Sequence, residues 1–344
     1  MRKIQYLRTA VIKYKNSMRM GWRLEMANRR RIDSVQARRD WTQRVAVMAL
    51  SFLLSLYLCE IVSTGLDLPG RFSYRAHFAL RSAALEAGLP FDDRTVLEYV
   101  EQQRREGRAV DVYVSPAMVL DSGFTTAAGE PLQPASGRAR RSVVPNCVEL
   151  GQFTEIATDR YGFNNPAEAW RGTPDHLLVG DSYAHGFCLP KGNDIATRLR
   201  ERGIRALNLG HGGNGPLLEL ASLLEYGVAR HPKKVFWLYF EGNDAADLDA
   251  EKRSTILTRY LEPGFTQHLA DEQDRIDELY DAHLEKKTAT FDRRRGLPER
   301  LLGILKLRSL RQLARIATKV GEEPVPLDAA LLEQILVRAR DAVH

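Results

Sequence analysis

The sequence predicts an α/β protein with a three-layer, flavodoxin-like parallel-sheet domain, preceded by one transmembrane helix and a smaller mixed α/β layer. Two observations carry this prediction. Between residues 170 and 250, short apolar runs alternate with helical segments, which is the pattern of parallel βαβ units. Near the N-terminus, an apolar run long enough to cross a bilayer follows a basic arm. The 344 residues also suffice for a sizeable core.

The basic balance of the chain is confined to its N-terminal arm. Residues 1–40 hold twelve Lys and Arg against three acidic residues, so the arm carries +9 and the rest of the chain −3, for a total of +6. Because the bulk of the protein is slightly acidic, nucleic acid is not the expected partner. A DNA-binding arm would also have to work beside a helix that sits in a membrane.

The apolar run extends from Val45 to Leu66, with Glu60 as its only charged residue. A helix of about 20 residues spans the hydrocarbon core of a bilayer. Lys and Arg crowd the side before the run, which predicts a single-pass protein of the cytoplasmic (inner) membrane with its N-terminus in the cytoplasm and its main domain periplasmic or extracytoplasmic. Glu60 lies near the far end, where a carboxylate reaches the interface. The alternatives are a buried core helix and a signal peptide; the latter is disfavoured because no A-x-A cleavage site follows.

The region between this anchor and the main domain is predicted as a separate extracytoplasmic layer. Ala109–Ser115 alternates like a strand, and residues 121–144 have the composition of a loop, in which Arg138–Arg141 is expected to be solvated. The turn-rich segment Asp159–Pro166 leads into the main domain. The predicted organisation is a basic cytoplasmic arm, a transmembrane anchor, an extracytoplasmic N-terminal region and the main domain: 1–44, 45–66, 67–165 and 166–344.

Three apolar runs of the main domain are predicted to be parallel strands. They are Asp175–Val179, Arg205–Gly210 and Lys233–Phe240, each ending in a cluster of small polar residues. The intervening helices are predicted at Asn193–Arg202, with Asn193 as N-cap, and at about Pro216–Ala229. In such sheets, ligands bind beyond the carboxyl ends of the strands. The three polar clusters are therefore expected to share one edge.

Beyond Asp249 the chain becomes helical and charged, which predicts an insertion over residues 250–325. Helices are expected at Gly264–Lys287 and Pro298–Val320. The second is basic and amphipathic, so it can lie on a membrane or pack its apolar stripe on its own domain. A final amphipathic helix is predicted between Pro326 and His344.

The strand ends carry residues suited to acyl transfer. Ser182 supplies a hydroxyl just past a strand, and its own N–H and that of a glycine in the next turn can point at a developing oxyanion. Asn243, past the third strand, can add a side-chain amide. Taken singly, these sequences are ordinary turns and loops.

Together, GDS at 180–182, NLGHGGNG at 208–215 and EGND at 241–244 resemble blocks I, II and III of the SGNH/GDSL hydrolases in order and spacing. The segment of about residues 145–265 resembles a bacterial membrane-anchored branch of that family. The resemblance implies that Ser182 is the nucleophile and that Gly213 and Asn243 are oxyanion donors. Asp181, His185 and His211 are pocket candidates, although the two histidines can equally be hydrogen-bonded polar neighbours.

The general base of the family is a histidine in a D-x-x-H block that follows a further strand. The only such string here, Asp341–His344, lies in the predicted last helix rather than in a loop. His344 is thus a poor candidate, and the chain is predicted to lack its base and to be C-terminally incomplete. No Cys/His cluster has metal-ligand spacing, and neither a metal nor a cofactor is expected.

Two of the three cysteines are candidates for a disulfide. Cys147 and Cys188 would both lie in an oxidising compartment, whereas Cys59 falls in the apolar run. The alternative is two independent buried thiols.

The sequence therefore predicts a serine esterase or acyltransferase that acts on acyl or acetyl esters of the cell envelope, with a glycan as one candidate carrier. The alternative is a non-catalytic, membrane-tethered scaffold or partner protein with the same fold. The expected partners are the lipid bilayer and the acyl-ester substrate, and the oligomeric state is left open.

Overall fold

A computed structural model describes residues 2–66, 68–69, 75–120, 123–125, 128–148, 150–319 and 325–344. Residues 121, 122, 126 and 127 of the predicted loop, and the end of the predicted helix Pro298–Val320, lie outside this range. The chain divides into two compact units. One comprises Met1–Gly70 and Arg300–Ala317, and the other comprises Arg71–Glu299 and Thr318–His344.

The helices and strands follow one another in a mixed α/β order. They are α1 (Arg2–Gly65), α2 (Arg75–Glu86), α3 (Val96–Arg105), β1 (Val110–Val112), β2 (Ser142–Val144), β3 (Ile156–Ala157), β4 (His176–Gly180), α4 (Ser182–His185), α5 (Ile195–Arg200), β5 (Ala206–Asn208), α6 (Pro216–Ser222), β6 (Lys234–Leu238), α7 (Asp244–Glu251), α8 (Thr255–Arg259), α9 (Gln273–Arg295), α10 (Leu297–Leu305), α11 (Arg308–Lys319) and α12 (Ala329–Val343).

The first unit is built on α1, which continues from the basic arm into the apolar run. Its segment Arg38–Gly65, of 28 residues, is long and apolar enough to cross a membrane. Nearly all of this apolar window is exposed within the protein. A core helix of a soluble protein would instead be buried, so the exposure favours the predicted single span.

The described residues of the second unit form two small sheets. Strands β5, β4 and β6 are parallel and lie in that order, so the strand that ends in Gly-Asp-Ser is central. The other sheet has the order β1-β2-β3, with β1 parallel and β3 antiparallel to β2. The structure thus confirms a mixed α/β class with small parallel sheets.

Alternate residues of β4 contact different helices, because successive side chains of a strand point to opposite faces. Leu177 and Val179 belong to the main core, together with apolar residues of α6, α7, α9 and α12. Leu178 packs instead with Ala196 of α5. Helices therefore cover both faces of the central strand.

Several predicted elements differ from the observed ones in detail. Helix α5 is capped by Asp194 rather than Asn193, because the Asp194 carboxylate accepts from the Thr197 N–H at 2.9 Å. The predicted helix Pro216–Ala229 continues past α6 as a π turn and a 3₁₀ turn. Helix α9 begins at Gln273 rather than Gly264, after a series of turns.

The predicted helix Pro298–Val320 is two helices, α10 and α11, separated at Leu307, which has a φ of 50°. The sequence assigned this segment to an insertion in the α/β domain. The structure instead groups Arg300–Ala317 with the N-terminal helix. The apolar stripe of α11 is therefore not part of the α/β core.

Arg138 contradicts the expectation of a solvated Arg138–Arg141 run. Its side chain is buried, and its guanidinium pairs with Asp111 at 2.9 Å and with Asp281. A buried guanidinium needs such carboxylate partners to offset its loss of hydration. Only the tertiary contacts with β1 and α9 provide them.

Candidate functional site

The candidate site lies where three adjacent parallel strands end. Leu178 of β4 is in register with Asn208 of β5, and Gly180 of β4 is in register with Leu238 of β6. The segments that follow these strands therefore leave the sheet at the same edge. Ser182, Gly213 and Asn243 lie in these three segments.

Ser182 is the first residue of the single helical turn α4. The buried Asp181 caps this turn by accepting the Tyr183 N–H at 2.9 Å. Gly186, with a φ of 76°, ends the turn in a left-handed conformation. The half-buried Ser182 hydroxyl donates to Asp181 Oδ2 at 3.2 Å. The sharp turn from strand to helix thus presents a serine with a carboxylate as its hydrogen-bond partner.

The segment after β5 is hydrogen-bonded to the Ser182 turn. Asn208, which is fully buried, donates through Nδ2 to the Ala184 carbonyl at 2.7 Å and accepts the Gly210 N–H at 2.8 Å. The His211 N–H donates to the Gly180 carbonyl at 3.1 Å. These bonds fix the position of the glycine-rich turn relative to Ser182.

Gly213 needs the absence of a side chain. Its φ is 85°, and a Cβ there would lie 2.7 Å from the Ser115 hydroxyl oxygen. Both the left-handed backbone and the close approach of Ser115 favour glycine at this position.

Asn243 precedes α7, and its side chain is oriented by that helix. Nδ2 donates one hydrogen to Asp247 Oδ2 at 2.6 Å. An amide nitrogen carries two hydrogens, so a second remains to be donated. Asp247 therefore acts as the residue that holds the Asn243 amide in one orientation.

Neither His185 nor His211 hydrogen-bonds to the Ser182 hydroxyl, which donates to Asp181. Both rings are buried and are stacked on each other, with centroids 5.1 Å apart. His185 Nδ1 accepts the Gly212 N–H at 3.3 Å, and its Nε2 has no hydrogen-bond partner among the described residues. Burial lowers the pKa of His185 to about 4 and that of His211 well below its ordinary value. Both rings are neutral at pH 7.

The Tyr113 hydroxyl determines the tautomer of His211. It donates its single hydrogen to the Gly212 carbonyl at 2.7 Å and lies 2.6 Å from His211 Nδ1. The hydroxyl therefore accepts from His211, which must carry its proton on Nδ1. His211 and the glycine-rich turn are therefore both held by hydrogen bonds to Tyr113.

The terminal D-x-x-H string lies on α12, as its periodicity predicted. Asp341 belongs to the helix and pairs with Arg340 at 2.7 Å, and the exposed His344 follows the last helical residue. No histidine of the described residues donates to or accepts from the Ser182 hydroxyl in this structure.

A group of buried carboxyls beside the strand ends was not predicted. Glu219, Asp244 and Glu251 are all less than 2% exposed. Glu251 accepts the N–H groups of Gly215, Leu217 and Leu218, at 2.6, 2.9 and 3.3 Å. It thereby caps α6, whose first N–H groups have no partner within the helix.

The other two carboxyls each keep one oxygen without a partner among the described residues. Glu219 accepts from the Trp237 indole, and Asp244 Oδ2 accepts the Phe240 N–H at 2.6 Å. Burial raises the pKa of Asp244 to about 7, that of Glu251 to about 8 and that of Glu219 well above its ordinary value. The charge of Asp181 adds to this effect at Asp244 and Glu219. A glutamate within the apolar segment Leu217–Ala221 is the sequence signal that could have identified this group.

These carboxyls predict a stability that depends on pH. The folded-state pKa values of Asp244 and Glu251, about 7 and 8, exceed their ordinary values of 3.8 and 4.5. Unfolding therefore releases protons within this window, so the free energy of unfolding falls as the pH rises from about 4 to about 8. We expect a lower Tm of the α/β unit at pH 8 than at pH 5, measured by circular dichroism of the detergent-solubilised protein. Asp244→Asn should flatten this dependence, whereas Asp249→Asn, a change at a partly exposed carboxylate on the same helix, should not. A Tm that rises over the same range would contradict the assignment.

Two aromatic rings flank the Ser182 turn. Tyr183 is 58% exposed and Phe240 37% exposed, and their centroids lie 4.6 Å apart. Exposed paired rings of this kind offer an apolar surface to a ligand. Neither was singled out from the sequence, because only the parallel pairing of β4 with β6 brings the two segments together.

A disulfide joins Cys147 and Cys188, with their Cα atoms 5.5 Å apart. It connects the segment after β2 to the loop that follows the Ser182 turn. The turn Asp159–Pro166 braces the same region, because Asn165 donates to the Asn208 carbonyl at 2.8 Å and accepts the Asn208 N–H at 2.9 Å. Both the disulfide and this turn therefore support the segments at the candidate site.

Comparison with protein-family models, with curated proteins and with solved structures finds no match for this chain. Among the described residues, no group of three or more His, Cys, Asp or Glu side chains is arranged to hold a metal ion.

Proposed function

We propose that this protein is a membrane-anchored serine ester hydrolase or acyltransferase of the SGNH/GDSL type, which acts on acyl or acetyl esters in the cell envelope. The observation that carries the proposal is that Ser182 follows the central strand β4, while Gly213 and Asn243 lie in the segments that follow its two neighbours, β5 and β6. Nucleophilic acyl transfer needs an accessible hydroxyl together with hydrogen-bond donors for the oxyanion.

In the proposed reaction, Ser182 Oγ forms a bond to the acyl carbonyl carbon, and the carbonyl oxygen becomes an oxyanion. The backbone N–H groups of Ser182 and Gly213 and the Asn243 amide donate to this oxygen. The ester C–O bond then breaks, and the leaving alcohol takes the proton given up by the serine. Water or an acceptor hydroxyl releases the acyl group in a second step. Tyr183 and Phe240 provide an apolar surface beside the reacting carbonyl.

We place the α/β unit on the extracytoplasmic side of the membrane. The Lys and Arg residues that precede the apolar helix favour a cytoplasmic N-terminus. The Cys147–Cys188 disulfide in the second unit is consistent with an oxidising compartment.

A non-catalytic scaffold is the second candidate, and one observation favours it. The Ser182 hydroxyl donates to Asp181 rather than to a histidine, and burial lowers the pKa of His185 and His211, which makes both rings weak bases. Without a base, a serine keeps only the weak reactivity that an oxyanion site gives it.

A membrane-impermeant fluorophosphonate probe tests both the chemistry and the topology. Intact spheroplasts that express the full chain should be labelled as strongly as lysed ones, because Ser182 lies outside. Ser182→Ala should abolish labelling, whereas Ser142→Ala, a matched change on β2, should retain it. Labelling only after lysis would overturn the topology. No labelling of folded wild-type protein would support the scaffold.

A further inference from the structure

Glu60, the only charged residue of the apolar run, is fully buried. Its Oε1 accepts the Ser309 N–H and its Oε2 accepts the Leu310 N–H, both at 2.8 Å. These are among the first N–H groups of α11, which lack partners within their own helix. A carboxylate near the C-terminal end of the span therefore caps a helix that lies about 250 residues later in the sequence.

Two further contacts involve the joint between α10 and α11, which comprises Leu305–Leu310. The Tyr57 hydroxyl donates to the Leu305 carbonyl at 3.3 Å, and the Thr64 and Ser309 hydroxyls are 2.8 Å apart. Tyr57, Glu60 and Thr64 lie on one face of α1, because their spacings of three and four residues match the helical repeat. The joint therefore contacts one face of α1, close to the C-terminal end of the span.

The segment 300–317, which contains the joint, has a composition that suits binding to a membrane surface. Residues 300–317 contain five Lys and Arg and no acidic residue. Leu301 and Leu305, one helical turn apart on α10, are 58% and 65% exposed. The Tyr57 hydroxyl contacts the Leu305 backbone, so these exposed leucines lie close to the span.

We propose that α10 and α11, joined by the turn at Lys306 and Leu307 and called the hairpin below, rest on an anionic phospholipid surface at the C-terminal end of the span. Leu301 and Leu305 enter the acyl-chain region, and the exposed cations Lys306 and Arg311 face the lipid phosphates. The distance from Trp41 to Glu60 along α1 is about 28 Å, close to the thickness of a bilayer core. Trp41 and Tyr57 then lie near opposite interfaces, where aromatic rings are favoured. The hairpin thereby marks the level at which the span leaves the hydrocarbon.

The depth of the hairpin can be measured on the full chain in vesicles of phosphatidylcholine and phosphatidylglycerol. In a Cys59→Ser background, which leaves the disulfide intact, Leu305→Cys carries an environment-sensitive fluorophore. Nitroxide-labelled lipids should quench it at least about threefold more than the same fluorophore on the exposed control Glu201→Cys, because only position 305 lies in the acyl-chain region. Equal quenching would overturn the proposal. So would a disulfide cross-link between two unlabelled Leu305→Cys chains, which would mean that a second copy covers this face.

Two sets of variants separate docking from lipid charge. Glu60→Ala removes both acceptors and should reduce the quenching at position 305, whereas Glu60→Gln keeps one acceptor and should reduce it less. The double variant Lys306→Gln and Arg311→Gln should lower the quenching in phosphatidylglycerol vesicles but not in pure phosphatidylcholine. If these changes leave the quenching unaltered in both lipids, the hairpin does not bind the anionic surface.

Discussion

Replacing Asn243 by alanine is expected to lower kcat for ester hydrolysis by about 10²- to 10³-fold, with a much smaller change in KM. The amide would donate to an oxygen that becomes charged only in the transition state, so its loss affects the chemical step rather than substrate binding. In the structure, Asp247 already orients the Asn243 amide, at 2.6 Å from Nδ2 to Oδ2. A preoriented donor loses little free energy to reorganisation when the charge appears.

The assay is p-nitrophenyl acetate hydrolysis by the detergent-solubilised full chain. Asn193→Ala is the matched control, because Asn193 is exposed and its side chain bonds only locally, to Arg198. It should retain wild-type kcat. Equal kcat in Asn243→Ala, with an unchanged melting curve, would remove Asn243 from the oxyanion site. Complete loss in both variants would indicate damage to the fold.

Glu251→Ala is expected to have the largest effect on stability. Glu251 is 1% exposed and accepts three backbone N–H groups at the start of α6. Alanine would leave these buried donors without a partner, at a cost of about 1–3 kcal/mol each, so a total loss of about 3 kcal/mol or more is expected. For a domain of this size, that loss corresponds to a Tm lower by roughly 6–12 °C.

The same helix supplies the control for this experiment. Asp249 lies on α7 as Glu251 does, but it pairs with Lys252 and Arg253 at the surface. Surface ion pairs contribute little, so Asp249→Ala should shift the Tm by no more than about 2 °C. A similar Tm for both variants would show that the cap contributes nothing beyond a surface charge.

The strands of the main domain were predictable because their signal is local. The apolar runs before Gly180, Asn208 and Leu238 became β4, β5 and β6, and the intervening helical segments became α5 and α6. The break at Leu307 was not predictable from periodicity, because the apolar repeat of Pro298–Val320 continues across it. The contacts of the α10–α11 joint with the end of α1 accompany that break.

The candidate site, too, was predictable only in part. Ser182, Gly213 and Asn243 were identified from short sequences at strand ends, and their placement needed only the rule that parallel strands end at one edge. The environment of each side chain depended on residues distant in the sequence. Tyr113, 98 residues before His211, holds that ring, and Glu251, 36 residues after Gly215, accepts its N–H.

By itself, the sequence determined the class of the protein: one apolar helix after a basic arm, and an α/β region with polar strand ends. Those features can be predicted from hydrophobic periodicity and charge, which are local patterns of the sequence. Only the tertiary structure decided which polar groups are buried and with what partners. It placed Arg138 in ion pairs, made His185 and His211 neutral, and joined Glu60 to α11. The physical reason is that desolvation and hydrogen bonding depend on neighbours in space, which local sequence does not specify.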